Sequence, residues 1–322
     1  MNRTEDFFYT IFCSTNTKNE GRQSILTGQE REKSLLKVGK IPYTNLFPIF
    51  YALQMGCDCS RYEFVEGVPS AVNRLLRSGE IDISPSSSIE YLRYRKQYNL
   101  IEGHSISSKG PAGSIFLLSR RPIEQLGGKT ILVSSQSDTS VALLDIILRK
   151  FYEIVCSLEP TDESVDSMIE KADAFLVIGD EALKAKKTVT SYKLQVTRDK
   201  DSSLVTRHSS LFHIYDLGEL WYKNTGLPFV FALWIARKDC YAEKAEILHG
   251  FVHDLQEAKI SALQNLNRIA RELRPSLLER YSLNITEEEL VSYWNGISYD
   301  LTEEHKKGLE LFRKYSEELG LL

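Results

Sequence analysis

Long apolar runs are missing from this chain. No stretch approaches the roughly twenty apolar residues a membrane helix needs, so no membrane partner is expected. A basic balance is missing too. Forty Lys and Arg stand against 44 Asp and Glu, for a net charge of −4. The short cluster at 93–96 makes no field of the kind that gathers nucleic acid, so no nucleic-acid partner is expected either. Cysteine is sparse: Cys13, Cys57, Cys59, Cys156 and Cys240 are an odd number with one close pair, C-x-C. That spacing makes neither a disulfide framework nor a zinc ribbon and suits a reducing compartment. Cys57 and Cys59 are read as an incidental pair and no metal is expected. The chain also lacks G-x-S-x-G, H-E-x-x-H, a Walker loop and the Rossmann glycine fingerprint. No cofactor is implied.

What is present is ordinary globular material, 42% hydrophobic and 26% charged over 322 residues, enough for two packed domains. Residues 1–36 read as a polar, poorly ordered extension. Within them Phe7 to Cys13 imitates a secretion signal, but the run is short and interrupted, with Glu5 and Asp6 beside Arg3. A cytoplasmic protein is therefore expected.

From Leu35 the texture changes. A strand over Leu36 to Ile41 leads through a turn to a helix starting near Phe47 and Pro48, where proline suits the first turn. "YEFVEG" is a second strand. A helix capped by Ser70 ends at Ser78-Gly79, and a buried strand spans Ile81 to Ser84. This strand, turn, helix order argues for parallel βαβ units. "SIFLLSR" closes one region and "KTILVS" opens another, with Pro122 and Gly127-Gly128 marking a domain crossover. An amphipathic helix "SVALLDIILRKFY", a strand in "ADAFLVIGDEALK", a helix Asp216 to Asn224 and a returning strand Phe229 to Ala236 follow. Helices fill the remainder from Tyr241. The expectation is an α/β protein of two lobes: 37–122 with 227–322, and 123–226. Ligand sits between them, where strand ends and helix N-termini converge.

Turns rich in small polar residues recur at predicted helix starts: "YTNLFP", "GVPSA", "SPSSSIE", "SSKGPAGS" and "SSQSDTSV". Any one alone reads as a helix cap. Five at strand ends would ring one cleft with hydroxyls and backbone N–H groups, suited to a small carboxylate-bearing anion. His104, in "EGHSISS", reads as a surface or supporting residue rather than a base. Asp180, in "IGDEAL", either caps the next helix or faces the cleft. Glu219 and Trp221 read as a solvated face and packing.

The linked segments "GKIPYTNLFPI", "GVPSAVNRLLRSGEIDISPSSSIEY", "SISSKGPAGSIFLLS", "SSQSDTSVALLDIIL", "ADAFLVIGDEAL" and "YDLGELWYKNTGLPFVFALW" resemble, in order over residues 37 to 240, the chorismate dehydratase family of the futalosine route to menaquinone. The polar extension lies outside that pattern, and His104 stands where an apolar residue is expected. The resemblance implies a two-lobed type II periplasmic-binding-protein-like fold, each lobe a mixed sheet flanked by helices, with the active site in the interlobe cleft. It implies a hydro-lyase acting on chorismate. Its implied contacts are Tyr43, Asn45, Ser86, Ser87, Ser88, Ser108, Ser114, Ser137, Thr139 and Ser140, with Asn45, Ser87 and Asp180 closest to the chemistry. No matched motif supplies an obvious base, so the enolpyruvyl carboxylate of the substrate itself is the expected base, with Asp180 and His104 as the protein alternatives. Two alternatives share the fold: 1,4-dihydroxy-6-naphthoate synthase of the same route, and a non-catalytic carboxylate-binding protein.

Overall fold

The computed structural model describes residues 35–198 and 212–322. The expected extension thus falls almost wholly outside the described residues. The chain builds two five-stranded mixed sheets. In the first, β1 (Leu36–Lys40) pairs in parallel with β2 (Tyr62–Glu66) and β3 (Ile83–Ser87), while β10 (Phe229–Arg237) runs antiparallel between β3 and β4 (Tyr98–Ser108). In the second, β6 (Thr130–Ser134) pairs in parallel with β7 (Ser157–Thr161) and β8 (Ala174–Ile178). There β5 (Ile115–Ser119) runs antiparallel to β8 and to β9 (His213–Asp216). Each sheet with its helices is one lobe.

The helices follow from local chemistry. Helix α1 (Phe47–Gly56) carries Pro48 in its first turn, where a missing N–H costs nothing. Helix α2 (Pro69–Ser78) starts on Pro69 with Val68 as its N-cap, not Ser70 as expected, because Pro69 already occupies the first helical position. It ends on Gly79 in the left-handed conformation. Helix α3 (Ser88–Tyr94) is capped by Ser87 and helix α4 (Asp138–Ile146) by Ser137, each through its hydroxyl. Helices α5 (Val165–Lys171) and α6 (Gly179–Arg198) flank β8, and the strand passes directly into α6. Helix α7 (Leu217–Thr225) is capped by Asp216.

Two expectations need correction. The strand expected at Ile81 to Ser84 lies later, at Ile83–Ser87, and all five of its residues are buried. It is sandwiched between β1 and β10, so its serines are interior and bond one another, the Asn73 side chain or the backbone. The first crossover also comes earlier than residue 122. Strand β5, assigned to the first lobe by its sequence, pairs with β8 and β9 of the second. The chain changes lobe at 109–114, where Gly110 and Gly113 hold φ of 105° and 75°, values a side chain would strain. Pro122 and Gly128 only shape a short 3₁₀ turn, Ile123–Gln125, inside the second lobe.

The C-terminal part is helical as expected: α8 (Lys238–Glu243), α9 (Ala245–Gln264), α10 (Leu266–Tyr281), α11 (Glu287–Asn295) and α12 (Glu303–Glu318). These helices do not belong to the first lobe alone. Helix α12 lies against both β10 and α4. Phe312 meets Phe229 at 4.9 Å and Trp221 at 6.3 Å between ring centres, joining α12, β10 and α7 in one aromatic core. Trp221, Trp234 and Trp294 are all buried, so none forms an open stacking platform. Glu219 pairs with Lys223 on the solvated face of α7. Among the described residues no helix is long and apolar enough to cross a membrane, and no group of three or more His, Cys, Asp or Glu side chains is placed to hold a metal.

Candidate active site

The two lobes meet along the ends of β1, β3, β6 and β8, where three polar turns converge. In the first turn, after β1, the Tyr43 hydroxyl donates to Gln136 Oε1 at 2.8 Å, and the Tyr43 ring lies over Gly179 at the start of α6. The Thr44 backbone N–H donates to Asp180 Oδ1 at 3.1 Å. Asp180 therefore faces the cleft. Burial raises its pKa, opposed by the hydrogen bonds from Thr44. Burial, reinforced by Asp180 and Glu181, likewise drives Tyr43 upward, so it remains a neutral donor at physiological pH. The turn is held from behind by the C-terminal helices and the loop after them: Trp294 Nε1 donates to Thr44 O at 2.8 Å and the Tyr299 hydroxyl to Asn45 O at 2.7 Å. The backbone carbonyls of the turn are thus fixed, whereas Asn45 Oδ1 is buried with no hydrogen-bond partner among the described residues.

The second turn joins β3 to α3. Its three serines behave differently. Ser86 Oγ shares a hydrogen bond with Ser84 Oγ at 2.6 Å, and Ser88 Oγ donates to Val230 O at 2.5 Å. Both are fully buried and committed to the sheet. Ser87 Oγ accepts from Asn73 Nδ2 at 3.2 Å and from the Glu90 N–H at 3.4 Å, which leaves its own proton unspent. Glu90 anchors this helix start from below, paired with Arg77 and accepting from the Tyr98 hydroxyl at 2.8 Å. Burial raises the Glu90 pKa against the pull of Tyr98 and Arg77.

The third turn opens α4 in the other lobe. Thr139 Oγ1 accepts the Ile89 N–H at 3.0 Å, and Arg93 pairs with Asp138 at 2.9 Å, so α3 and α4 touch across the cleft. Ser137 Oγ donates to Ser140 Oγ at 3.0 Å while accepting the Ser140 N–H. The Thr139 and Ser140 protons, like that of Ser87, have no acceptor in these bonds. Donors from both lobes thus converge on one junction.

The crossover closes the floor. Ser108 Oγ donates to Gly110 O at 2.9 Å. Ser114 Oγ accepts from the Tyr293 hydroxyl at 2.8 Å, and Ser114 O accepts the Gly179 N–H at 2.8 Å. Asp216 accepts the Ala112 and Gly113 N–H groups at 2.8 and 2.7 Å. Tyr43, Asn45, Ser87, Ser114, Thr139, Ser140 and Asp180 are therefore drawn together around the cleft. Ser88, Ser108 and Ser137 spend their hydroxyl protons on the scaffold, and Ser86 shares one hydrogen bond with Ser84. His104, expected as a surface or supporting residue, is buried beside Lys259 and Asp300, which leaves the supporting reading, and none of the hydrogen bonds of the cleft reaches its ring. Gln136, Asn73, Asp216 and Tyr293 were not singled out from sequence. Gln136 stands inside "SSQSDTSV", the one available signal; Tyr293 lies in a helical tract whose pattern says nothing of which face meets the cleft.

Two α/β lobes closing on a ring of neutral hydroxyl and amide donors define a periplasmic-binding-protein-like architecture. Solved structures agree on that fold. A protein from Archaeoglobus fulgidus superposes with a TM-score of 0.67 at 19% identity, covering 90% of this chain and 99% of that one. A Candida albicans protein with the generic periplasmic binding protein fold gives 0.57 at 14% identity, over 89% and 90% of the two chains. The aliphatic sulphonate binding protein of Escherichia coli gives 0.58 at 14% identity, over 90% and 88%. Residues 36–318 match the family model described as menaquinone biosynthesis, and the chain belongs to that family. It is also 30% identical over 288 residues to a chorismate dehydratase of Thermus thermophilus, covering 87% of this chain and 93% of the relative.

Proposed function

We propose that the chain is a chorismate dehydratase, converting chorismate to 3-[(1-carboxyvinyl)oxy]benzoate and water in the futalosine route to menaquinone. The observation that carries this is the 30% identity to a chorismate dehydratase along nearly the whole of both chains. The cleft suits the substrate. Chorismate is a dianion, and the converging donors are hydroxyls and amides whose charge-assisted bonds to carboxylates need no arginine clamp. Arg77 and Arg93 are already committed to Glu90 and Asp138.

The chemistry asks little of the protein beyond placement. Removing the C3 proton spreads negative charge through the diene onto the ring carboxylate. Loss of the C4 hydroxyl, leaving with that proton as water, makes the ring aromatic. Ser87, Thr139 and Ser140 hold one carboxylate between the lobes, and Tyr43 and Asn45 contact the substrate from the first turn. Closure excludes water and strengthens the hydroxyl donors of Ser87, Thr139 and Ser140. The proton goes to the enolpyruvyl carboxylate of the substrate, whose tethering gives it a high effective molarity. His104, buried beside Lys259 and Asp300 and sharing no hydrogen bond with the cleft donors, is poorly placed to take it. A biosynthetic role of this kind carries with it a cytoplasmic location.

The test is a proton NMR time course of purified protein with chorismate and no added metal or cofactor. Growth of meta-substituted benzoate signals with the vinyl protons retained is expected. Chorismate that stays intact yet binds would point to a solute-binding protein. Intact, unbound chorismate would point to the sister naphthoate synthase.

A further inference from the structure

Asn73 lies on the inner face of α2 at 7% exposure and reaches across to β3, where its Nδ2 donates to Ser87 Oγ. The same oxygen accepts the Glu90 N–H. A serine hydroxyl has two lone pairs and one proton. With both lone pairs occupied, Ser87 can meet a third group only as a donor. Ser88 lacks that freedom, because it donates to Val230 O, and Ser86 shares its hydrogen bond with Ser84 inside the sheet.

Asn73 is a costly choice for mere packing. Its Oδ1 is buried without a hydrogen-bond partner among the described residues, a penalty that a leucine of similar shape would not carry. The gain that offsets it is the donor aimed at Ser87.

We propose that Asn73 is a positioning residue that holds the Ser87 hydroxyl as an obligate donor to a carboxylate of the substrate. This rests on the reading of Ser87 as a carboxylate contact made above. An oxygen with no lone pair to offer favours an anionic acceptor over a group that must donate, so Asn73 acts on specificity through Ser87 without touching substrate.

The experiment is a double-mutant cycle on the full chain, with kcat and KM for chorismate measured for wild type, Asn73→Ala, Ser87→Ala and the double variant. Asn73→Leu is added as a variant that keeps the packing, and melting temperatures are recorded for all. Losing one such bond lowers kcat/KM about tenfold. The expected loss in Asn73→Ala and Asn73→Leu falls on whichever parameter, KM or kcat, Ser87→Ala changes. The double variant is then no worse than Ser87→Ala to within about twofold. If Ser87→Ala is impaired while Asn73→Leu keeps wild-type kinetics, or if the two losses multiply in the double variant, the positioning role is wrong and the Ser87 contact stands. If Ser87→Ala itself has wild-type kinetics, the carboxylate contact fails and the positioning role with it. A lowered melting temperature with unchanged kinetics makes Asn73 a structural residue only.

Discussion

The backbone N–H of Ile89 donates to Thr139 Oγ1 at 3.0 Å, so the first turn of α3 in one lobe is completed by a side chain from α4 in the other. Both partners are buried. The bond therefore ties the two lobes together at this junction, and separating them there would exchange it for water. Replacing Thr139 by valine keeps the shape but leaves the Ile89 N–H unpaired whenever the lobes close. Such a group costs about 1–3 kcal/mol. Thr139→Val is expected to lower kcat/KM for chorismate at least about fivefold, read from initial rates, with little change in melting temperature. Wild-type kinetics would remove this bond from any role in closure.

Asp180 separates the two routes for the proton. It accepts the Thr44 N–H, and an asparagine can do the same through its carbonyl oxygen. Asp180→Asn thus preserves the contact while abolishing basicity. With the substrate carboxylate as base, the variant is expected to keep kcat within about tenfold of wild type. Were Asp180 the base, kcat would collapse by roughly three orders of magnitude. The wild-type rate would also fall as pH drops through its raised pKa, because only the ionised form accepts a proton.

His104 predicts an acid lability of the fold. Burial, assisted by Lys259, lowers its pKa from 6.5 to about 4. The unfolded chain binds a proton near 6.5, so between those values the unfolded state holds more protons and stability rises with pH. The contribution is complete above about pH 6.5 and falls as pH drops toward 4, by up to about 3 kcal/mol. Between pH 7.5 and pH 5, urea unfolding of wild type is expected to lose about 2 kcal/mol more than His104→Leu. Parallel losses would show that the ring titrates normally in the folded protein.

The strands and helices named from sequence were legible because they are local: period-two and helical patterns, Pro48 and Gly79 carry them, whereas β4, β7, β9 and α5 went unnamed. The crossover was not legible. Nothing within "SIFLLS" states which sheet β5 will join, since that depends on pairing with Ala174–Ile178 and His213–Asp216, far along the chain. Three of the polar turns, after β1, after β3 and before α4, lie where the two lobes meet. Which hydroxyl keeps a free proton could not be read there, because Ser86 and Ser88 differ from Ser87 only through partners at Ser84, Val230 and Asn73. Asp216 was visible as a helix start, but its second role depends on the crossover backbone coming within hydrogen-bond reach.

That second role makes the last prediction. Asp216 accepts from Ala112 N at 2.8 Å, Gly113 N at 2.7 Å and Glu219 N at 3.1 Å, tying the crossover to the start of α7. Burial raises its pKa and these N–H groups oppose the rise. In Asp216→Asn one oxygen becomes an amide donor facing a backbone donor, so at least one N–H loses its partner. Hydrogen bonds to a charged group contribute about 1.5–3 kcal/mol, which for a chain of this size is a fall in Tm of roughly 2–4 °C. Ser114, next to Gly113 and bonded to Tyr293, moves with the crossover. A lower kcat/KM is therefore expected along with the lower Tm, measured by calorimetry and initial rates on the same preparation. An unchanged Tm would mean that the crossover is held by its glycine turn and the Ser108 to Gly110 bond, and that the Asp216 carboxylate only caps α7.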